Sequence, residues 1–252
     1  MSIVDFIEKI LNCRKKLPSQ PLFVINDPDG VVVARQLGCE DLRRSMYETD
    51  DLPGLCPYCR NTLEKIPNLD FRTRTKKDFV GTYDGFYIVS EKFKMFCDEQ
   101  GFDNITFIPL KKSPGHYYFS PNTFFPVDYE NTLFEHTGEP CPKCGNYRWF
   151  GGPHRIYSNQ LFTDNDNFIY RTKEYYGDKG RKFFLIIIGL KTARLMKERG
   201  FDFDYDNILY EIHFIKGLAK RNTIPVLLDL QSCSREYEDL QSDNQPFQHC
   251  KC

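Results

Sequence analysis

Long apolar runs are absent from this chain. The longest, Phe183 to Leu190, covers eight residues and includes Gly189. A membrane span needs about 20 apolar residues, so this run reads as a buried strand. An excess of one charge is also missing: 34 Lys and Arg stand against 35 Asp and Glu, a formal net charge of -1. That balance encodes no bulk attraction to nucleic acid or to an anionic membrane. Asp5 and Glu8 fall where a secretory signal needs a basic start and an uninterrupted apolar stretch. The expected location is the cytoplasm.

Catalytic signatures are missing as well. The chain has no H-E-x-x-H, no G-x-x-x-x-G-K, no G-x-G-x-x-G and no G-x-S-x-G. Pro140-Cys141-Pro142-Lys143-Cys144 matches half of the zinc deaminase signature. The H-x-E half, which carries the general acid/base, is not there: Tyr117-Tyr118 follow His116, and Thr137-Gly138-Glu139 follow His136. Asp202, Asp204 and Asp206 begin like a calcium loop, but the turn glycine is absent and His213 takes the place of the bidentate Glu. These aspartates read as a solvated loop, or as acids open to a basic partner.

What the chain does have is aromatic residues and cysteine. Phe and Tyr number 22 and 15, and the hydrophobic fraction is 40%, which marks a folded protein. Four of the ten cysteines form two pairs, Cys56-Pro57-Tyr58-Cys59 and Cys141-Pro142-Lys143-Cys144-Gly145. Two thiolates separated by two residues can curl around one metal ion. Proline after the first cysteine sets the turn, and a following glycine accepts positive φ. Four thiolates select zinc and leave no open coordination position, so the expected role is structural. The pairs lie 82 positions apart (141 minus 59), far more than in an ordinary zinc ribbon. One shared site on Cys56, Cys59, Cys141 and Cys144 is the main expectation. Separate sites completed by His116, His136, His154 or Cys39, metal-free knuckles and a redox C-x-x-C are the alternatives.

The order of elements explains how distant knuckles could meet. Phe86 to Ser90 reads as a strand entering a helix, Glu91 to Gln100, that stops at Gly101. Ninety-nine residues on (200 minus 101), Leu185 to Gly189 enters Leu190 to Arg199 and stops at Gly200. Phe102-Asp103 matches Phe201-Asp202, and strands are expected at Ile105 to Ile108 and Ile208 to Ile215. Glycine sits in both where a helix end takes a left-handed residue. The expected fold is α+β, with two related knuckle–strand–helix–strand units joined at the shared zinc site. Residues 1–50 are expected to add a helix, capped by Ser2 and ending before Pro18, and strands at Pro21 to Ile25 and Val31 to Ala34. Residues 51–230 form the duplicated body. Residues 231–252 read as a polar tail ending in three residues of ligand type assigned to no site, His249, Cys250 and Cys252.

This arrangement resembles the bacterial double-CXXCG motif proteins, which include immunity proteins of polymorphic toxin systems. The resemblance covers roughly Cys56 to Phe214. It rests on Cys56, Cys59, Cys141, Cys144 and Gly145, and on Ile88-Val89-Ser90-Glu91 with Gly101-Phe102. Arg60 departs from the pattern, since it stands where the second knuckle has Gly145. The resemblance implies a non-enzymatic inhibitor that binds a cognate toxin protein, with structural knuckles and no assigned contact residues. Aromatics in His116 to Phe119 and Asn122 to Phe125 are candidates for partner contact or for core. A zinc-ribbon module that binds nucleic acid through Arg72, Arg74, Lys76 and Lys77 is the alternative from a different class. Cys97, beside Phe93 and Phe96 on a predicted helix, reads as a buried free thiol.

Overall fold

In a computed structural model, described for residues 30–49, 51–153, 155–201 and 209–215, strands dominate. β1 (Gly30–Leu37), β2 (Glu40–Asp41), β3 (Phe79–Gly81) and β4 (Tyr87–Ser90) lead into helix α1 (Glu91–Glu99), followed by β5 (Ile105–Pro109) and β6 (His116–Pro121). Short strands come next: β7 (His136–Thr137), β8 (Trp149–Phe150), β9 (Ile169–Arg171) and β10 (Gly177–Asp178). A 3-10 turn, Lys179–Arg181, precedes β11 (Ile186–Gly189), helix α2 (Leu190–Glu198) and β12 (Leu209–Ile215). The class is mixed α+β.

The strands form three sheets, ordered β2-β3-β4-β6-β5, β12-β1-β11-β9 and β10-β8-β7. β2 runs parallel to β3, while β4 pairs antiparallel with β3 and β6. In the second sheet β11 pairs antiparallel with β1, from Ala34↔Gly189 to Leu37↔Ile186, and with β9.

Both central strands are covered on both faces, which is why their sequences read as apolar runs and not as alternation. Tyr87 and Val89 of β4 share one cluster with Ile186 and Ile188 of β11, together with Phe93, Phe96, Phe119, Met196 and Phe201. On the far side of the first sheet, Phe86 and Ile88 pack with Met46, Leu52 and Phe71. On the far side of the second, Leu185 and Ile187 pack with Val33, Phe125 and Ile212. The middle cluster therefore joins the two halves of the chain. Burial there contributes about 25 cal/mol per Å² of apolar area removed from water.

The two strand–helix passages end alike. Gly101 (φ 71°) and Gly200 (φ 65°) are both left-handed. Behind them Phe102 N donates to Cys97 O at 3.0 Å, and Phe201 N to Met196 O at 3.2 Å. Their starts differ. Ser90 caps α1 by accepting from Phe93 N, whereas α2 begins at Gly189, which has no side chain to cap with. The strand expected at Val31 to Ala34 is part of β1. The helix and strand expected before Gly30, Ile208, and the segment 231–252 lie outside the described residues, as do Asp202, Asp204 and Asp206.

Candidate metal centre

Each C-x-x-C pair folds into the same small loop. Cys56 N donates to Asn61 O at 2.8 Å and Arg60 N to Cys56 O at 2.8 Å. In the second loop Cys141 N donates to Asn146 O at 3.0 Å and Gly145 N to Cys141 O at 2.8 Å. The residue after the second cysteine is left-handed in both, Arg60 at φ 64° and Gly145 at φ 72°. The missing glycine thus leaves the loop geometry in place and adds backbone strain instead.

The loops turn their N–H groups onto sulfur. Those of Cys59 and Tyr58 lower the Cys56 thiol. Burial pushes the Cys141 thiol up, but the N–H groups of Cys144 and Lys143 and the neighbouring thiols outweigh it and bring it to about 7. Burial raises Cys59 to about 12 and raises Cys144. One lowered thiol comes from each loop.

The loops meet. The sulfurs of Cys56, Cys59, Cys141 and Cys144 all lie within 4.8 Å of one another. Cys59 Sγ and Cys144 Sγ, from opposite loops, are 3.6 Å apart. Sulfurs held about 2.3 Å from a tetrahedral zinc stand about 3.8 Å from each other, so the donor set fits that ion. The four are free thiols. Cys56 and Cys141 are buried while Cys59 and Cys144 are partly exposed, which places the centre at the edge of the core.

Two further contacts lock the loops together. Asn61, fully buried, donates from Nδ2 to Asn146 O at 3.0 Å. The Lys179–Arg181 turn wedges between them: Thr62 N and Oγ1 donate to Lys179 O at 3.2 and 3.1 Å, and Lys179 N donates to Arg148 O at 2.9 Å. Gly180 lies against Leu52 and Leu55. The small sheet of β7, β8 and β10 brackets the second loop.

Three of the four alternative ligands are engaged elsewhere. His116 Nε2 meets Thr75 O at 3.1 Å and Nδ1 meets Pro114 O. His136 stacks on Tyr147 with ring centroids 3.9 Å apart. Cys39 lies against Gly81, its thiol pushed up to about 12 by burial and by Asp41. His154 is outside the described residues. Among the described residues, the four cysteines are the one cluster of three or more His, Cys, Asp or Glu arranged for a metal.

Several partner-contact candidates belong to the interior. Tyr118, Phe119 and Phe125 are core residues. Phe124 is 48% exposed, with the Arg171 guanidinium 4.7 Å above its ring. Cys97 is fully buried and burial raises its thiol. Arg72, Arg74 and Lys76 point outward from an extended segment whose Phe71 and Thr73 point in, while Lys77 pairs with Glu40 at 2.7 Å.

Sequence reasoning missed Asn61, Lys179 and Lys182 around the centre. Asn61 did carry a signal: C-P-x-C-x-N occurs in both loops, ending at Asn61 and Asn146. No family model matches this chain, and no curated protein sequence matches it.

Proposed function

We propose that this chain is a non-enzymatic cytoplasmic immunity protein that binds and neutralises a cognate bacterial toxin domain, its fold secured by one structural zinc. The observation that carries the reading is the closed donor set. Four cysteine sulfurs from two loops lie within 4.8 Å of one another; as thiolates around one zinc they would leave no position for substrate or water. When bound, zinc supplies a cross-link between the halves of the chain, and no chemistry beyond that. The resemblance on the two knuckles and the strand–helix passages supports the toxin partner. The two units are, in this reading, copies of one ancestral knuckle–strand–helix–strand element; the shared hydrogen bonds of the loops and of the helix ends support that descent.

The test is expression of candidate toxin domains, with and without this chain. Co-purification and survival of the cells are expected. Failure of both, with measurable turnover of a substrate by the purified protein, overturns the reading.

One observation favours a second reading. Arg44 Nη1 donates to Arg72 O at 3.2 Å, and its guanidinium lies 5.4 Å from the Phe71 ring centre. Arg44 thereby joins Arg72, Arg74 and Lys76 in one exposed cationic ridge suited to a phosphate backbone. Oligonucleotide binding that weakens steeply with salt, and is lost in an R72A/R74A variant, decides for this alternative.

A further inference from the structure

Among the described residues, Lys182 is a buried cation without a carboxylate counter-ion. It is 2% exposed, and its ammonium donates to Tyr147 O, three residues past Cys144. Among the described residues no Asp or Glu oxygen forms an ion pair with it. Asp178, the one acid that acts on it, is an exposed side chain facing Arg148 at 3.7 Å. Burial lowers the Lys182 ammonium, and what opposes that lowering ahead of Asp178 is the pair of sulfurs of Cys144 and Cys59, one from each loop. The backbone holds it there. Lys182 follows the Lys179–Arg181 turn that wedges between the loops, and its carbonyl lies so close to Gly85 that a Cβ there would come within 2.3 Å.

A buried charge is costly unless a counter-charge is near. Four thiolates around one divalent ion carry a net charge of -2, also partly buried. Each charge thus lacks what the other supplies. We propose that Lys182 is the positioning residue and internal counter-cation of the metal centre, holding the second loop through Tyr147 and offsetting half of the excess negative charge of the loaded site. The inference rests on the structural-zinc reading. It also gives segment 179–182 a role, since that segment brings one positive charge to the place where the two knuckles close.

The experiment compares wild type, K182M and K182R, using zinc alone as the probe. Metal content of the purified wild type comes first; a wild type that retains no zinc defeats the structural-zinc reading itself. Given zinc in the wild type, competition against a chromophoric chelator is expected to show about 10–100-fold weaker binding for K182M, the range for residues that support metal ligands from behind. Acid should release zinc from K182M at a higher pH than from wild type. K182R, which keeps the charge, should stay nearer wild type in both readings. Wild-type affinity and an unchanged acid midpoint in K182M overturn the proposal, as does equal weakening in K182R and K182M, which would mark a packing role. Should K182M not fold, the side-chain 15N resonance of Lys182 in zinc-loaded wild type decides: a charged ammonium at pH 7 supports the proposal and a neutral amine overturns it.

Discussion

Arg60 and Gly145 occupy the same place in two loops of the same geometry, and only one of them suits it. Left-handed backbone costs a residue with a Cβ about 1–2 kcal/mol. At Gly145 a Cβ would meet nothing within 4 Å, so G145A should destabilise the protein by backbone strain alone, about 1 kcal/mol. R60G runs the other way. It relieves the strain, gives up an exposed pair with Asp51 (2.7 Å) worth little, and adds chain entropy to the unfolded state. A net gain of about 0.5 kcal/mol is expected in denaturant melts of the zinc-loaded protein, and a loss would contradict the strain assigned to Arg60. Lys65 is a second residue at odds with its surroundings. Buried, with Nζ donating to Asp84 O at 2.5 Å and lying 4.8 Å from the Phe86 ring centre, it is lowered by desolvation to about 7, against a raising effect from Asp84. The unfolded chain holds that proton up to about pH 10.5. Its penalty is therefore absent above that value, grows as pH falls, and is complete below about pH 7. Stability relative to K65M should rise between about pH 7 and pH 10; a flat difference would place the ammonium in water. Arg60 was legible beforehand as the missing glycine of the first knuckle, whereas Lys65 was not. A lysine is buried or exposed according to what packs over it, and the sequence around Lys65 is an ordinary polar loop.

At the scale of elements, local pattern carried much of the information. Apolar stretches entering amphipathic segments and stopping at Gly101 and Gly200 marked β4-α1 and β11-α2, because a strand buried on both faces and a left-handed helix end both impose residue types. The knuckle loops were legible for the same reason: a turn with a left-handed residue after the second cysteine leaves few residue choices. Pairing was not legible. β1 joins β11 from far along the chain, and nothing in either strand names its neighbour. The two helix starts show how tertiary contact overrides a local rule. Ser90 caps α1 at 3.2 Å from Phe93 N and donates to Asp78 Oδ1 at 2.6 Å, so S90A should cost about 1 kcal/mol. Gly189 begins α2 without a cap because there is no room for one. A Cβ there would lie 2.2 Å from Asp166 O, where Gly189 N donates to Phe168 O and Thr192 Oγ1 takes the Phe168 N–H. G189A, a gentler change by propensity, should lower the melting temperature more than S90A. The reverse order would mean that the 166–168 loop yields easily.

For the whole molecule the question is what a metal held by the four cysteines would add to a chain that already has a shared core. The cluster around Phe93, Ile186, Ile188 and Phe201 joins both halves without any cysteine ligand, so the fold does not hang on zinc in the way a small finger does. The knuckle region is different. Among the described residues it is held by the Asn61–Asn146 contact, the Lys179–Arg181 turn and the two-residue strands β7, β8 and β10, with only part of the apolar clusters nearby. Under the structural-zinc reading, replacing Cys141 with Ser removes one of four ligands. A loss of a few kcal/mol is expected, about 10 °C at roughly 2–4 °C per kcal/mol for a chain of this size. Its distribution is the sharper readout. Amide exchange should accelerate first at residues 54–62, 141–151 and 177–182, while β4 and β11 keep their protection, since local opening follows local contact. A chelator applied to wild type should reproduce the same map. If C141S melts like wild type, the four thiols are neighbours that contribute nothing to the fold. If exchange rises uniformly through β4 and β11, the shared core depends on the metal after all, and the halves are held together at the knuckles and not by the aromatic cluster between the sheets.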